Sequence, residues 1–352
     1  MRISDILRHI AAAAVVLPAI LLQGCGMVTD EPVDCPASLR VRFIYDYNIK
    51  YADAFAREVK SVNVWAFDAE GKPVWSHSES GAVLASGDFV IDTPLPEGRY
   101  DFVAWCGLKD NDAFELATYQ PQSKEELLTT LRAAGDPEED SPVVCESYLP
   151  ALFHGTLLGV DYAPDPFRPS IKTVTIPLMK NTNDIRVMLQ HLDGSEIRQK
   201  DFSATITTHG GRLGWDNSPL PAAPVTYRPW NVKYGQVTSP SAQTGTREDS
   251  QTVTAVASLM FEFSTSRLIL DRGATLTVRL DSENRDIIRI PLLDYFILVM
   301  GHYPEMSEQE YLDRQDDYSI LFFIDGNSDW YRPGGIYINQ WAVVPPQDEE
   351  LI

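Results

Sequence analysis

Apolar and polar positions along this chain fall into short runs with the period of β-strands. LRVRFIYDY (39–47), VKSVNVWAFD (59–68), DFVIDTPL (88–95) and RYDFVAWCG (99–107) alternate or stay apolar, and they are rich in β-branched and aromatic residues. Turn chemistry separates them. DAEGKP (68–73) predicts a hairpin loop, and PEGR (96–99) a turn in which Gly98 takes a positive φ. Helical signals are few. Ser123 and Glu126 form a capping box opening SKEELLTTLRAAG (123–135), and Ser307 opens a second short helix over SEQEYLDRQ (307–315). PLLDYFILVM (291–300) fits a buried strand or a helix equally well. The pattern predicts a mostly β protein with few short helices.

Two stretches share a layout. VKSVNVWAFDAEGKPVW (59–75) and KDFSATITTHGGRLGW (200–215) each read as a strand, a Gly-containing turn and a return strand ending in Trp. The likeness suggests two related β-sandwich domains, 39–180 and 181–345, although hairpins of this kind recur in unrelated β proteins. Residues 216–250, rich in Pro, Ser and Thr, read as a long surface excursion within the second half. An acidic tail, 346–352, closes the chain.

The N-terminus changes the picture. Arg2 and Arg8 precede an apolar run, Ile10–Leu22, that is too short to span a bilayer and contains Pro18. Leu22-Gln23-Gly24-Cys25 fits a lipobox: small Gly24 lets a signal peptidase cut before Cys25, whose thiol carries the diacylglycerol. An ordinary signal that happens to contain cysteine is the simpler alternative. On the lipobox reading, 1–24 is a signal peptide, acylated Cys25 ties the chain to a membrane, and the acidic stretch 25–38 is a tether. Absence of Asp after the anchor (Gly26 follows it) favours the outer membrane. Three cysteines remain in an oxidising compartment: Cys35, Cys106 and Cys145. Cys35 lies just ahead of a strand and Cys106 ends another, which favours a 35–106 bridge, with pairing through Cys145 left open.

Charge and chemistry then exclude more than they suggest. The net charge of −21 opposes nucleic-acid backbones. No phosphate-cradling loop, nucleophile elbow or zinc-protease helix occurs, and His77, His154, His191, His209 and His302 show no ligand spacing. No enzyme, metal or cofactor is expected. DGNSD (325–329) resembles the start of a calcium loop but lacks its glycine at the sixth position and its distal Glu, so a tight turn is the better reading. Trp65, Trp105 and Trp341 sit within strand patterns and read as core. Trp230 and Trp330 lie on loops, where exposed rings could stack on a glycan.

Across nearly the whole span from Cys35 to Val344, VRFIYDYN (41–48), ADAF (52–55), EVKSVNVWAFDAEGK (58–72), GRYDFVAWCG (98–107), LFHG (152–155), PLMKNTNDIRVMLQHL (177–192), PVTYRPW (224–230), EYLDRQDDYS (310–319) and IYINQW (336–341) resemble the FimB-type fimbrial anchor lipoproteins of type V pili. The resemblance implies two transthyretin-like β-sandwiches in tandem and a role at the base of a fimbria. It implies stalk subunits as partners, joined by β-strand addition. Stalk subunits lose their first strand to a protease that cuts after Arg, whereas an anchor keeps both its lipid and that strand. Arg40, Arg42 and Arg57 are the cut sites if this chain is a processed stalk or tip subunit instead. GIYINQWAVVPPQ (335–347), with Ile336, Ile338, Trp341 and Val343, is the candidate partner strand or else the last strand of its own domain. A surface adhesin that contacts a host protein or glycan is a further alternative.

Overall fold

The computed structural model describes residues 37–132, 143–165, 170–191, 197–238 and 255–343. Gly24, Cys25, Cys35 and the 346–352 tail lie outside them.

The first sandwich pairs a small sheet with a larger one. The small sheet has the order β10 (Ser170–Pro177), β1 (Ala37–Ile44), β4 (Ile91–Thr93). The larger has the order β11 (Met179–Lys180), β9 (Phe153–Tyr162), β5 (Gly98–Cys106), β2 (Ser61–Phe67), β3 (Pro73–Ser80). Every residue of β2 is buried. Val62, Val64, Ala66, Phe102 and Ala104 pack towards the small sheet, against Leu39, Val41 and Phe43. Trp65, Phe67, Val103 and Trp105 point the other way into a second core. Strands covered on both faces carry near-continuous apolar runs, and VNVWAF and DFVAWC are such runs.

The cover on that second face is a three-stranded sheet of order β14 (Arg212–Leu213), β7 (Thr129–Leu131), β6 (Phe114–Leu116). Phe114, Leu116, Leu127 and Leu131 fill it. The two indoles are satisfied there: Trp65 Nε1 donates to Tyr119 O at 3.2 Å, and Trp105 Nε1 to Leu127 O at 3.1 Å. The helix expected over 123–135 is therefore absent from its described part. One 3-10 turn, Lys124–Glu126, leads into β7. Thr129 and Thr130 are β-branched, and Leu127, Thr129 and Leu131 are buried at strand spacing.

The second sandwich faces a six-stranded sheet against a five-stranded one. The first runs β16 (Asn231–Thr238), β17 (Ala255–Ser266), β12 (Thr182–His191), β20 (Asp317–Ile324), β21 (Ile336–Ile338), β22 (Trp341–Val343). The second runs β19 (Arg285–Pro291), β18 (Ala274–Leu280), β13 (Phe202–Thr208), β15 (Val225–Tyr227), β8 (Val143–Cys145). β13 and β18 alternate inward and outward residues, as a sheet with one wet face must.

Three short helices complete the described fold: α1 (Phe55–Glu58), α2 (Leu292–Ile297) and α3 (Glu308–Arg314). Ser307 caps α3 by accepting from Glu310 N at 3.1 Å. The ambiguous 291–300 run resolves into the end of β19 followed by α2.

The hairpin expected at 68–73 forms between β2 and β3, with Asp68 accepting from Glu70 N and Lys72 N and Gly71 at φ 80°. Its supposed counterpart does not form. β13 pairs with β15 and β18, while Arg212 and Leu213 cross to β7 of the first half. The short GGR turn leads away from β13 to the edge of β7, where Leu213 joins the core shared by both halves. β8 likewise comes from the first half and pairs in parallel with β15. A division at 180/181 thus cuts the chain between β11 and β12, while β6, β7 and β8 lean on the second half. The excursion expected over 216–250 holds two ladder strands, β15 and β16, and Gly98 does not take a positive φ. What Gly98 supplies is room: a Cβ there would lie 2.8 Å from the Tyr100 hydroxyl, which donates to Pro96 O.

Trp105→Ala would open the second core and orphan Leu127 O. Its expected cost is about 3–5 kcal/mol, read as a lowered urea midpoint. Amide exchange should rise first across 114–131, and unchanged protection there would contradict this packing.

Candidate functional site

The feature most tied to assembly is the first strand and how it is held. β1 is the middle strand of its sheet. It runs parallel to β10 over eight pairs, from Ala37↔Ser170 to Ile44↔Pro177, and antiparallel to β4 at Leu39↔Thr93, Arg40↔Asp92 and Val41↔Ile91. Leu39, Val41, Phe43 and the following Tyr45 are all 2% exposed or less. Baring four such side chains costs on the order of 10 kcal/mol at about 2–3 kcal/mol each, comparable to the net stability of a whole domain.

The chain after β1 is pinned to the second half. Tyr45 N donates to Asp53 Oδ1, and Asn48 Nδ2 donates to Tyr45 O and Ala52 O, tying the loop to itself. Ile49 N then reaches Arg314 O at 2.8 Å. The Arg314 guanidinium lies over the rings of Tyr47 (4.0 Å) and Tyr51 (4.6 Å) and bonds Glu310 Oε1 at 2.7 Å. Lys180 Nζ stands 2.7 Å from Asp316 and 3.8 Å from Glu58. Burial opposes its charge, yet those carboxylates outweigh burial and hold its pKa above the usual value. Burial, with Asp316 and Glu58, pushes the Tyr45 phenol up, so it stays protonated.

The expected protease sites are now placed. Arg40 donates from Nε to Asp92 at 2.6 Å and is paired with both β10 and β4, while Arg42 lies 3.8 Å from Asp53 and is paired with β10. Arg57 sits in α1, its side chain exposed beside Glu58.

The C-terminal candidates divide. Ile336 and Ile338 are fully buried in their own sandwich, on β21, which pairs with β20. Asn339 and Gln340, both at positive φ, turn the chain back into β22. Trp341 is 52% exposed, not core as its strand pattern suggests, because β22 is the edge strand of its sheet among the described residues. Val343 is half-buried beside Ile336. Of the other tryptophans, Trp65 and Trp105 are core, Trp330 packs edge-on against Phe322, and Trp230 is exposed against Tyr148. Asp325 is a turn residue whose carboxylate accepts from Asn327 N and Asp329 N. Cys106 and Cys145 are buried free thiols; Cys106 has no exposed surface, and burial raises its pKa.

One element had no signal in the sequence. His154 on β9 packs 4.5 Å from the Trp105 ring, and its Nε2 lies 2.7 Å from Trp215 O in the second half. Neutral imidazole donates there. Beside it, Asn181 and Asn217 exchange amide bonds at 2.8 and 3.0 Å. Arg267 bridges Asn217 O and both oxygens of Asp313. Burial pushes the His154 pKa down to about 4.

A family model described as fimbrillin-A associated anchor proteins matches residues 31–345. Among curated proteins none matches. Of solved structures, a candidate adhesin from Bacteroides thetaiotaomicron is similar at 29% identity and TM-score 0.75, over 88% of this chain and 99% of that one. A candidate polysaccharide-binding protein from the same organism follows at 26% and 0.71, over 89% and 99%. The fimbrial anchor protein Mfa2 from Porphyromonas gingivalis shares the fold at 17% identity and TM-score 0.61, over 89% of this chain and all of its own.

The histidine yields a pH test. The unfolded chain binds a proton at about pH 6.5 that the fold refuses until about pH 4. Stability is whole above 6.5 and falls with pH through that window, by about 3 kcal/mol from this group. His154→Gln should give a shallower decline of the urea midpoint between pH 6.5 and 4, and an unchanged slope would clear His154 of the role.

Proposed function

Because the chain belongs to the family of fimbrillin-A associated anchor proteins, we propose that it is an outer-membrane lipoprotein that holds a fimbria on the cell surface and ends its polymerisation there. The observation that carries the reading is the seat of β1. A subunit that accepts a neighbour's strand must first empty a groove. Here the groove is filled by the chain's own β1, paired on both sides and pinned beyond its end by Arg314. The bonds after Arg40 and Arg42 lie inside that ladder, where a protease cannot draw them into an extended active-site conformation without unfolding the sheet.

Cys25, as the acylated residue, stands 12 residues before β1. That tether reaches at most roughly 40 Å when extended, so the first sandwich rides close to the membrane surface. The next fimbrial subunit then engages the other end. β22, the last strand of the six-stranded sheet, offers backbone for strand addition, with Trp341 and Val343 on it and Ile336 and Ile338 holding its neighbour in place. The function asked of these residues is cohesion rather than chemistry.

Intact mass and N-terminal mapping of the protein from its native membrane test the reading. The expected chain starts at acylated Cys25 with residues 26–57 present. A chain beginning after Arg40, Arg42 or Arg57 would make it a processed stalk or tip subunit. Deleting the protein should give longer fibres that are shed into the medium, and fibres of unchanged length and attachment would overturn the anchoring role.

A further inference from the structure

The five-stranded sheet of the second sandwich has a gap. β13 pairs with β18 along Phe202–Thr208, but with β15 only from Ile206 to Thr208. Beside Phe202–Thr205 no further strand is paired among the described residues, and a cleft of about 590 Å³ opens between the two sheets, within the size range of small-ligand sites. A second lobe of about 580 Å³ adjoins it through the shared Phe202, Val232 and Phe261, and exposed Tyr234 lines that lobe.

A peptide strand is a poor occupant of the gap. By register with β13, Arg228 and Pro229 continue β15 past Tyr227, and the chain then leaves for the other sheet, where Trp230 N donates to Glu262 O. Pro229 supplies no N–H, and the Arg228–Glu146 ion pair stands at the rim. Proline and charge at a strand edge are what discourage added strands.

The lining suits a different ligand. Its floor is apolar: Phe202, Ala204, Val232 and Phe261. Its rim carries two arginine–carboxylate pairs, Arg228–Glu146 and, 3.7 Å apart, Arg279–Asp286, together with the hydroxyls of Ser203, Thr205 and Thr277. Each pair is neutral as a unit yet offers both donors and acceptors, and both pairs are partly exposed. A polyhydroxylated neutral ligand can bond both without parting either, and Arg198 and Lys200 add donors in the adjoining lobe. An aromatic face completes the set: Tyr234 (43% exposed) lies on β16 in the adjoining lobe. Two adjoining lobes of this size suit an oligosaccharide rather than a single sugar.

We infer that this cleft is a binding site for a neutral oligosaccharide. The ring of Tyr234 stacks on a pyranose face, while Arg228–Glu146 and Arg279–Asp286 bond hydroxyls. The site shares no residue with the β1 seat or with β22, so its failure would leave the anchoring reading intact.

The test applies the full-length chain to an array of mucin-type, N-linked and polysaccharide-derived oligosaccharides, with a set of extended peptides alongside, and follows with calorimetry on the best binder. Neutral oligosaccharides should bind. Tyr234→Ala and Arg228→Ala, both at exposed side chains, should each weaken binding about tenfold or more, equivalent to about 1.4 kcal/mol. Trp341→Ala, on the opposite edge of its sheet, should not. No glycan binding, binding untouched by both cleft variants, or binding of peptides alone would each overturn the inference.

Discussion

Burial of β2 and β5 on both faces is the constraint around which the molecule is arranged. One face of these strands needs β1 and β10. The other needs β6, β7 and β14, and β14 comes from residues 212–213 of the second half. A tandem of independent sandwiches could leave that second face polar and wet. Here Trp65 and Trp105 occupy it, and large rings with one N–H each demand both apolar cover and an acceptor. The two halves are therefore joined by a shared core rather than by a linker. A pull applied at one end reaches the other through packed side chains and ladder hydrogen bonds.

The polar seam beside that core does complementary work. His154, Asn181, Asn217, Arg267 and Asp313 form buried bonds that must all be made together, because each unpaired member would cost more than its bond returns. Such a seam contributes little net stability yet fixes one relative placement of the halves. Arg314 uses that placement to hold Tyr47 and Ile49. Seating of the first strand is thus a property of the whole chain, and it depends on residues more than 250 positions away in sequence.

Much of this was legible from pattern. Period-two runs located the β-strands of the first half, Asp68 and Gly71 located a hairpin, and Ser307 located a cap. The failures have a common cause. Residues 123–135 carry a helix signature whose Leu127 and Leu131 also satisfy a strand, and only a partner strand at Arg212–Leu213 decides between them. Residues 200–215 look like a hairpin locally, but the return segment pairs with β7 of the first half instead of β13. Trp341 reads as core because alternation says which face a residue takes, not whether another layer covers it. His154, a lone histidine among apolar neighbours, gave no sign of the carbonyl across the seam that it serves.

The edges show how the fold divides its exposed backbone. A sandwich of finite sheets must leave strand edges bare, and a β protein that stays unaggregated cannot leave them all open to pairing. The gap beside β13 carries Pro229 and an ion pair, which discourage an added strand. β1 is interior to its sheet, paired with β10 and β4. β22 is treated differently: short, at the end of its sheet, with an exposed indole and no charged residue. β8, at the end of the five-stranded sheet, also lacks charge, but its Cys145 is buried and its two valines half-buried, whereas two of the three residues of β22 are exposed. Exposure as well as the lack of charge therefore distinguishes β22 as the edge best able to pair with another strand.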